Sequence, residues 1–293
     1  MRCLTINATQ LLNDPAILTT GARLYTTDEK RLGIRIITHR DCDDEGLIVR
    51  KPDDSILFVL LRAVLFAVLT RTDFDSSYEL LRTVHGDLSN RPDIIGKNMR
   101  MPGIRKDGTA SHFNMAPKAI VDAMGGNSDL LGFYKYKNPA PGVVDCAPTA
   151  WTVGEPNLYG DLQGFISAVD QVYRIYLPKH YETQMAFVRT IPRVLRMGET
   201  AFTTLYVLKN APTAVHKDKF DYAESFGVMT TLGDWSGNAI VWPKYRIGCD
   251  YRPGDVILAD VHEYHCNLPL LSGERVSCVF FVRKGMDQCP GII

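Results

Sequence analysis

The chain has 293 residues, with 33 Lys+Arg against 33 Asp+Glu, 45% apolar residues and 23% charged ones. That length fits one large domain or two tightly joined ones, and the composition excludes extensive disorder. A net charge of zero excludes capture of nucleic acid by the whole-chain field, so such a partner would need a local basic patch.

The seven cysteines stand singly, with no CxxC pair and an odd total. This predicts no disulfide framework, no structural zinc and a reducing, intracellular compartment, nuclear in a eukaryote and cytoplasmic in a bacterium or phage. The first fifteen residues lack the apolar core of a signal peptide.

Residues 1–50 mix short apolar runs with charged turns. Helices are predicted near 56–70 and 76–84. The run Ile56 to Leu69 is intensely apolar, but it is short for a bilayer and carries Arg62, so it reads as a buried core helix rather than a membrane segment. Residues 86–112 read as loop, with turn chemistry at Asn90-Arg91-Pro92, Met101-Pro102-Gly103 and Lys106-Asp107-Gly108. A helix is predicted over 117–124, with Pro117 in its first turn, and residues 126–160 form a second irregular stretch. Phe165, Val169, Val172 and Tyr176 recur at helical spacing, predicting an amphipathic helix over 161–176. Pro178 ends it, and another short helix is expected over 179–188.

After about residue 198 the pattern becomes short strand-like runs at 201–208, 213–216, 226–232, 239–242, 255–260 and 275–283. Turns rich in Gly, Asp, Asn and Pro separate them. Many short strands at this spacing imply a β-sandwich or jelly roll. The fold expected is α+β: a helical and irregular part over 1–195 supporting a double-stranded β-helix over 196–293.

His216-Lys217-Asp218 is expected to close the 213–216 strand. Side chains two apart on a strand share a face, so His216 and Asp218 can reach one metal ion. A third ligand can come from Asp260-Val261-His262-Glu263-Tyr264-His265, through either histidine. Two imidazoles and a carboxylate on one face of an octahedron make the facial triad of non-haem Fe(II) oxygenases.

The string H-x-D, a histidine about 50 residues on and an arginine ten residues later resembles the 2-oxoglutarate/Fe(II) dioxygenases. The finer text is similar to the TET/JBP family, which oxidises the methyl group of 5-methylcytosine or thymine in nucleic acids. That text is His216 to Asp221, Gly237 to Pro243, Arg252 to Asp255, His265 to Pro269 and Gly273 to Ser277. The resemblance implies His216, Asp218 and His265 as iron ligands, because only His265 puts Arg275 at the family spacing. His262 then becomes a supporting group.

The resemblance further implies that Arg275, with Ser277, grips the distal carboxylate of 2-oxoglutarate, ascorbate being the alternative co-substrate of some algal relatives. Asp221 would accept from the exocyclic amine of cytosine, and Phe281 would stack on the target base. Arg283 stands where relatives that read 5-methylcytosine often carry His. A straight strand puts Arg283 about 26 Å from Arg275 at ~3.3 Å per residue, so both can line one site only if the strand bends or the pocket is elongated.

The partner implied is DNA, with RNA as the alternative, and no membrane. Five basic residues over 91–106 and the run Phe133-Tyr134-Lys135-Tyr136-Lys137-Asn138 offer phosphate contacts and stacking. Asn90 and Asn138 are candidates for a base contact. A dioxygenase of a protein side chain or small molecule is the competing function.

Overall fold

Two β-sheets pack face to face across an apolar interior. The structure, a computed structural model, describes residues 1–84, 126–135 and 146–290, together with the backbone of 99–104 and 110–115. The larger sheet runs in the order β1 (Arg2–Thr5), β3 (Gly46–Arg50), β4 (Ile56–Leu61), β13 (Val256–Ala259), β10 (Gly227–Gly237), β15 (Leu270–Phe281), β9 (Thr204–Lys209), β7 (Asn127–Lys135), β8 (Cys146–Pro148). The smaller sheet is β14 (Cys266–Asn267), β11 (Ile240–Trp242), β12 (Ile247–Cys249), β2 (Arg35–Ile37), and β5 (Met99–Ile104) pairs with β6 (Ala110–Met115). This is the jelly-roll architecture expected of the strand-rich half.

Alternation along the central strands builds two cores. On β15, Val276, Cys278 and Phe280 point into a core shared with the helices Gln163–Tyr176 and Pro178–Thr190. Both helices agree with the sequence pattern, and Pro178 opens the second one at its first position, where a missing N–H costs nothing. The second core lies between the sheets, where Phe58 stacks on Trp242 with ring centroids 4.7 Å apart. Phe280 touches Phe165 and Phe202 and is fully buried. Phe280→Ala is therefore expected to lower stability by about 3–5 kcal/mol, read as a drop in the urea midpoint.

The apolar run from Ile56 is a strand, not the expected helix. In β4, Val59 and Leu61 face the helix-side core while Phe58 and Leu60 face the core between the sheets. A strand buried on both faces reads as one continuous apolar run, which periodicity cannot separate from a buried helix. A single 3₁₀ turn (Val64–Ala67) and the helix Arg71–Leu81 follow. That helix begins earlier than the pattern suggested because Thr70 caps it, accepting from the Asp73 N–H at 3.1 Å.

The stretch 126–160, expected to be irregular, holds β7, β8 and two short helices, Ala150–Gly154 and Pro156–Asp161. Likewise β5 and β6 occupy part of the expected loop over 86–112, while the helix expected over 117–124 lies outside the described residues. The larger sheet draws strands from both sides of residue 195, with β4 hydrogen-bonded directly to β13.

The cysteine expectation needs one correction: Cys146 and Cys289 form a disulfide. The two cysteines are 143 positions apart, and nothing in single spacing signals that the chain end returns to β8. The other five are free thiols, and the compartment inference loses the support it drew from unpaired cysteines. No helix among the described residues is long and apolar enough to cross a membrane.

Candidate active site

His216 lies outside any strand and makes a single antiparallel bridge with His265, which corrects the expected strand at 213–216. The two residues exchange backbone hydrogen bonds, His216 N to His265 O at 3.0 Å and His265 N to His216 O at 2.9 Å. This closely bonded pair brings the ring centroids to 4.3 Å. The Asp218 N–H donates to the Val261 carbonyl at 3.0 Å, fixing the carboxylate against the same turn. One Asp218 oxygen lies 3.5 Å from His216 Nε2 and the other 3.6 Å from His265 Nε2. The candidate ligand atoms of all three residues fall within 4.8 Å of one another.

The tautomers suit a cation. Each Nδ1 faces a carbonyl, Ala214 O at 2.7 Å for His216 and Glu263 O at 3.0 Å for His265. A carbonyl only accepts, so each Nδ1–H donates and leaves the Nε2 lone pair directed at Asp218's surroundings. Burial, and then the neighbouring His216, push the His265 imidazole down to about 4, so it is neutral at neutral pH and available as a ligand. Ligand atoms at these separations can converge on an ion about 2.1 Å from each. His262 does not join them: its Nε2 lies 3.1 Å from the Tyr222 carbonyl, beside a different, shallower cavity.

A cavity of about 650 Å³ opens over the triad, within the size range of small-ligand sites. Strand β15 lines it with Ser277, Val279 and Phe281, and Asp221 and Arg283 stand on its wall. Of the two arginines, Arg283 lines the cavity and Arg275 does not; Arg275 lies two residues along β15 from Ser277, which does. Asp221 and Arg283 form a second isolated bridge. Burial and the charge of Asp218 push the Asp221 carboxyl well above the usual carboxylate range, against the pull of Arg283 and Lys284. Arg283 donates from Nε to the Lys135 carbonyl at 2.8 Å, and its guanidinium lies 3.9 Å from the Tyr134 ring centroid and 5.0 Å from that of Phe220.

Arg275 is 2% exposed. Its Nη1 donates to Asn238 Oδ1, and the rings of Tyr251 and Trp235 flank the guanidinium at 4.9 and 5.4 Å. The Nε and Nη2 atoms are buried without a hydrogen-bond partner of good geometry, although the Tyr251 hydroxyl is close enough to the guanidinium to interact with it. The adjacent Glu274 is taken on the other face of the sheet by Tyr78, Arg82 and Lys209. A buried guanidinium with its side-on fork unpaired fits a carboxylate ligand, and two imidazoles with one carboxylate fit a divalent iron.

Several of these residues escape a reading of the sequence. Tyr134 and Phe220 beside Arg283, and Asn238, Tyr251 and Trp235 around Arg275, sit in turns and strands whose partners are remote. Tyr134 and Lys135 do belong to the basic-aromatic run noted above. Asn90 and Asn138 lie outside the described residues, as do the side chains of the basic segment 91–106.

Comparison with known proteins agrees with this geometry. The family model Tet_JBP, the oxygenase domain of the 2OGFeDO superfamily, matches residues 131–284. Thymine dioxygenase JBP1 of Trypanosoma brucei brucei is 29% identical over 179 residues, covering 59% of this chain and 21% of that protein. Bifunctional helicase and thymine dioxygenase JBP2 of Leishmania tarentolae is 28% identical over 166 residues, covering 55% and 15%. The chain thus spans about a fifth or less of the length of these relatives. Among solved structures, NgTET1 in complex with 5mC DNA superposes with a TM-score of 0.53 at 12% identity, over 95% of this chain and 94% of that one, which is a likeness of fold. The matched segment spans more than half of the sequence and contains the His–Asp–His group, Arg275 and all of β15, and on that ground the chain belongs to the Tet_JBP family of oxygenase domains.

Proposed function

We propose that this protein is an Fe(II)- and 2-oxoglutarate-dependent dioxygenase that oxidises the methyl group of 5-methylcytosine or thymine in DNA. Family membership implies Fe(II) and 2-oxoglutarate. The observation that carries the reading to this chain is the convergence of His216, Asp218 and His265 at one cavity, whose wall holds Ser277 two residues along β15 from the buried Arg275.

In this reading His216, Asp218 and His265 hold the iron, and the carbonyls of Ala214 and Glu263 fix the two imidazoles in the ligating tautomer. When bound, iron and the keto acid supply the oxidising chemistry. Arg275, with Ser277, holds the distal carboxylate of 2-oxoglutarate. Ascorbate has no carboxylate to answer that guanidinium, which favours the keto acid as co-substrate. Phe281 offers its ring to the base, and Arg283, set against Tyr134 and Phe220, borders the base edge. A base inside a duplex cannot reach such a cavity, so the substrate base enters extruded from the stack or from a single strand.

The test is nucleoside mass spectrometry after incubation of methylated and unmethylated DNA with Fe(II), supplying 2-oxoglutarate and ascorbate in turn, with an RNA arm. Hydroxymethylated pyrimidine from DNA in the 2-oxoglutarate arm is expected. Unaltered 5-methylcytosine and thymine in every arm would refute the reading.

Asp221 is assigned the base preference. A carboxyl oxygen accepts from cytosine N4, whereas an amide carries permanent N–H donors that can also reach thymine O4. Asp221→Asn is expected to move the ratio of 5-methylcytosine to thymine oxidation towards thymine by about tenfold, measured in a mixed-substrate reaction. An unchanged ratio would remove Asp221 from the base contact.

A further inference from the structure

Donors outnumber acceptors around Arg275. Besides Nε and Nη2 of the arginine, the Asn238 Nδ2 and the Thr231 Oγ are buried with no partner. Thr231 stands opposite Ser277 in the β10–β15 register, and Arg275 is opposite Gly233, so Thr231, Arg275 and Ser277 share the sheet face that lines the cavity. Tyr251 and Ser277 both border that cavity.

The arginine is also held unusually firmly. Asn210 accepts from the Arg275 N–H with its Oδ1 at 2.8 Å and donates its own N–H to the Arg275 carbonyl at 2.9 Å. Asn238 is 1% exposed and has a backbone φ of 57°, a left-handed conformation that Asn tolerates better than most residues. Its N–H donates to the Pro269 carbonyl at 3.0 Å, and its carbonyl accepts from Asn267 Nδ2 at 3.3 Å. With its backbone pinned at both groups, Asn238 directs its amide oxygen to Arg275 Nη1.

We propose that Asn238 is the positioning residue of the co-substrate site: its Oδ1 ties down Arg275 Nη1, turns the Nε–Nη2 edge towards the distal carboxylate of the bound dicarboxylate, and leaves Nδ2 as a further donor to that anion. This rests on the reading of the site as a 2-oxoglutarate site. The residue type follows from the chemistry. A neutral amide accepts from the guanidinium without cancelling its charge. An aspartate would accept equally well but would pair with the arginine and compete with the ligand.

The test is calorimetric titration of 2-oxoglutarate into Mn(II)-loaded wild-type, Asn238→Gly and Asn238→Asp proteins, alongside thermal melts without ligand. Glycine and aspartate both accept the left-handed backbone, so the fold is retained. Loss of one hydrogen bond to a charged group predicts a Kd weaker by roughly ten- to a hundredfold in Asn238→Gly. Asn238→Asp is expected to bind more weakly still, while its ligand-free melting temperature rises above wild type. That opposition of ligand affinity and ligand-free stability would not arise from a purely structural asparagine. Wild-type affinity in both variants overturns this assignment alone. A wild-type protein that binds no 2-oxoglutarate overturns both the assignment and the reading beneath it.

Discussion

Asp218→Ala is expected to bind Mn(II) at least about a hundredfold more weakly and to yield no oxidised nucleoside. Changes to the groups that merely support metal ligands already cost about 10- to 100-fold in affinity or activity, and Asp218 would be the single anionic ligand of the centre. The fold should survive, because the side chain is 28% exposed and, among the described residues, its oxygens are paired with the two imidazoles at 3.5 and 3.6 Å. Calorimetry with Mn(II) separates lost metal binding from lost turnover. Asp218→Asn keeps the shape and removes the charge, and should fall between alanine and wild type. An alanine variant that takes up Mn(II) with wild-type affinity would dissolve the proposed centre.

Arg275→Met should weaken 2-oxoglutarate by on the order of a hundredfold to a thousandfold, since truncating one partner of a buried charge pair costs about 2–5 kcal/mol. The ligand-free protein should melt at the same temperature or higher. In that state the guanidinium is a buried cation with its Nε and Nη2 unanswered, an arrangement that is costly to maintain. Methionine can fill the slot between Trp235 and Tyr251 with favourable sulfur–ring contacts. A variant that melts lower and binds 2-oxoglutarate normally would make Arg275 a packing residue.

The parts legible in the sequence are those whose signal is local. His216, Asp218 and His265 are polar, metal-capable residues in short motifs, and β10, β13 and β15 announce themselves as short strand-like runs between turns. The helix Gln163–Tyr176 shows one apolar face at the right period. What stays hidden depends on remote pairing. β4 looks like a helix because its two faces meet two different cores, and β7 hides among prolines and glycines that belong to its neighbours. Cys146 finds Cys289 only through the sheet edge. That His265 rather than His262 lies beside Asp218 depends on one backbone bridge to His216, and the clamp of Asn210 and Asn238 on Arg275 lies in turns far from it in sequence.

The pairing of β4 with β13 has a practical consequence for anyone seeking a minimal catalytic fragment. Expression from residue 196 onwards would strip β1, β3, β4, β7 and β8 from the larger sheet and bare the apolar flanks of β13 and β9. Unpaired strands of that kind recruit one another, so a truncated product would be recovered as aggregate, and the oxygenase unit has to be moved between hosts with its leading strands attached.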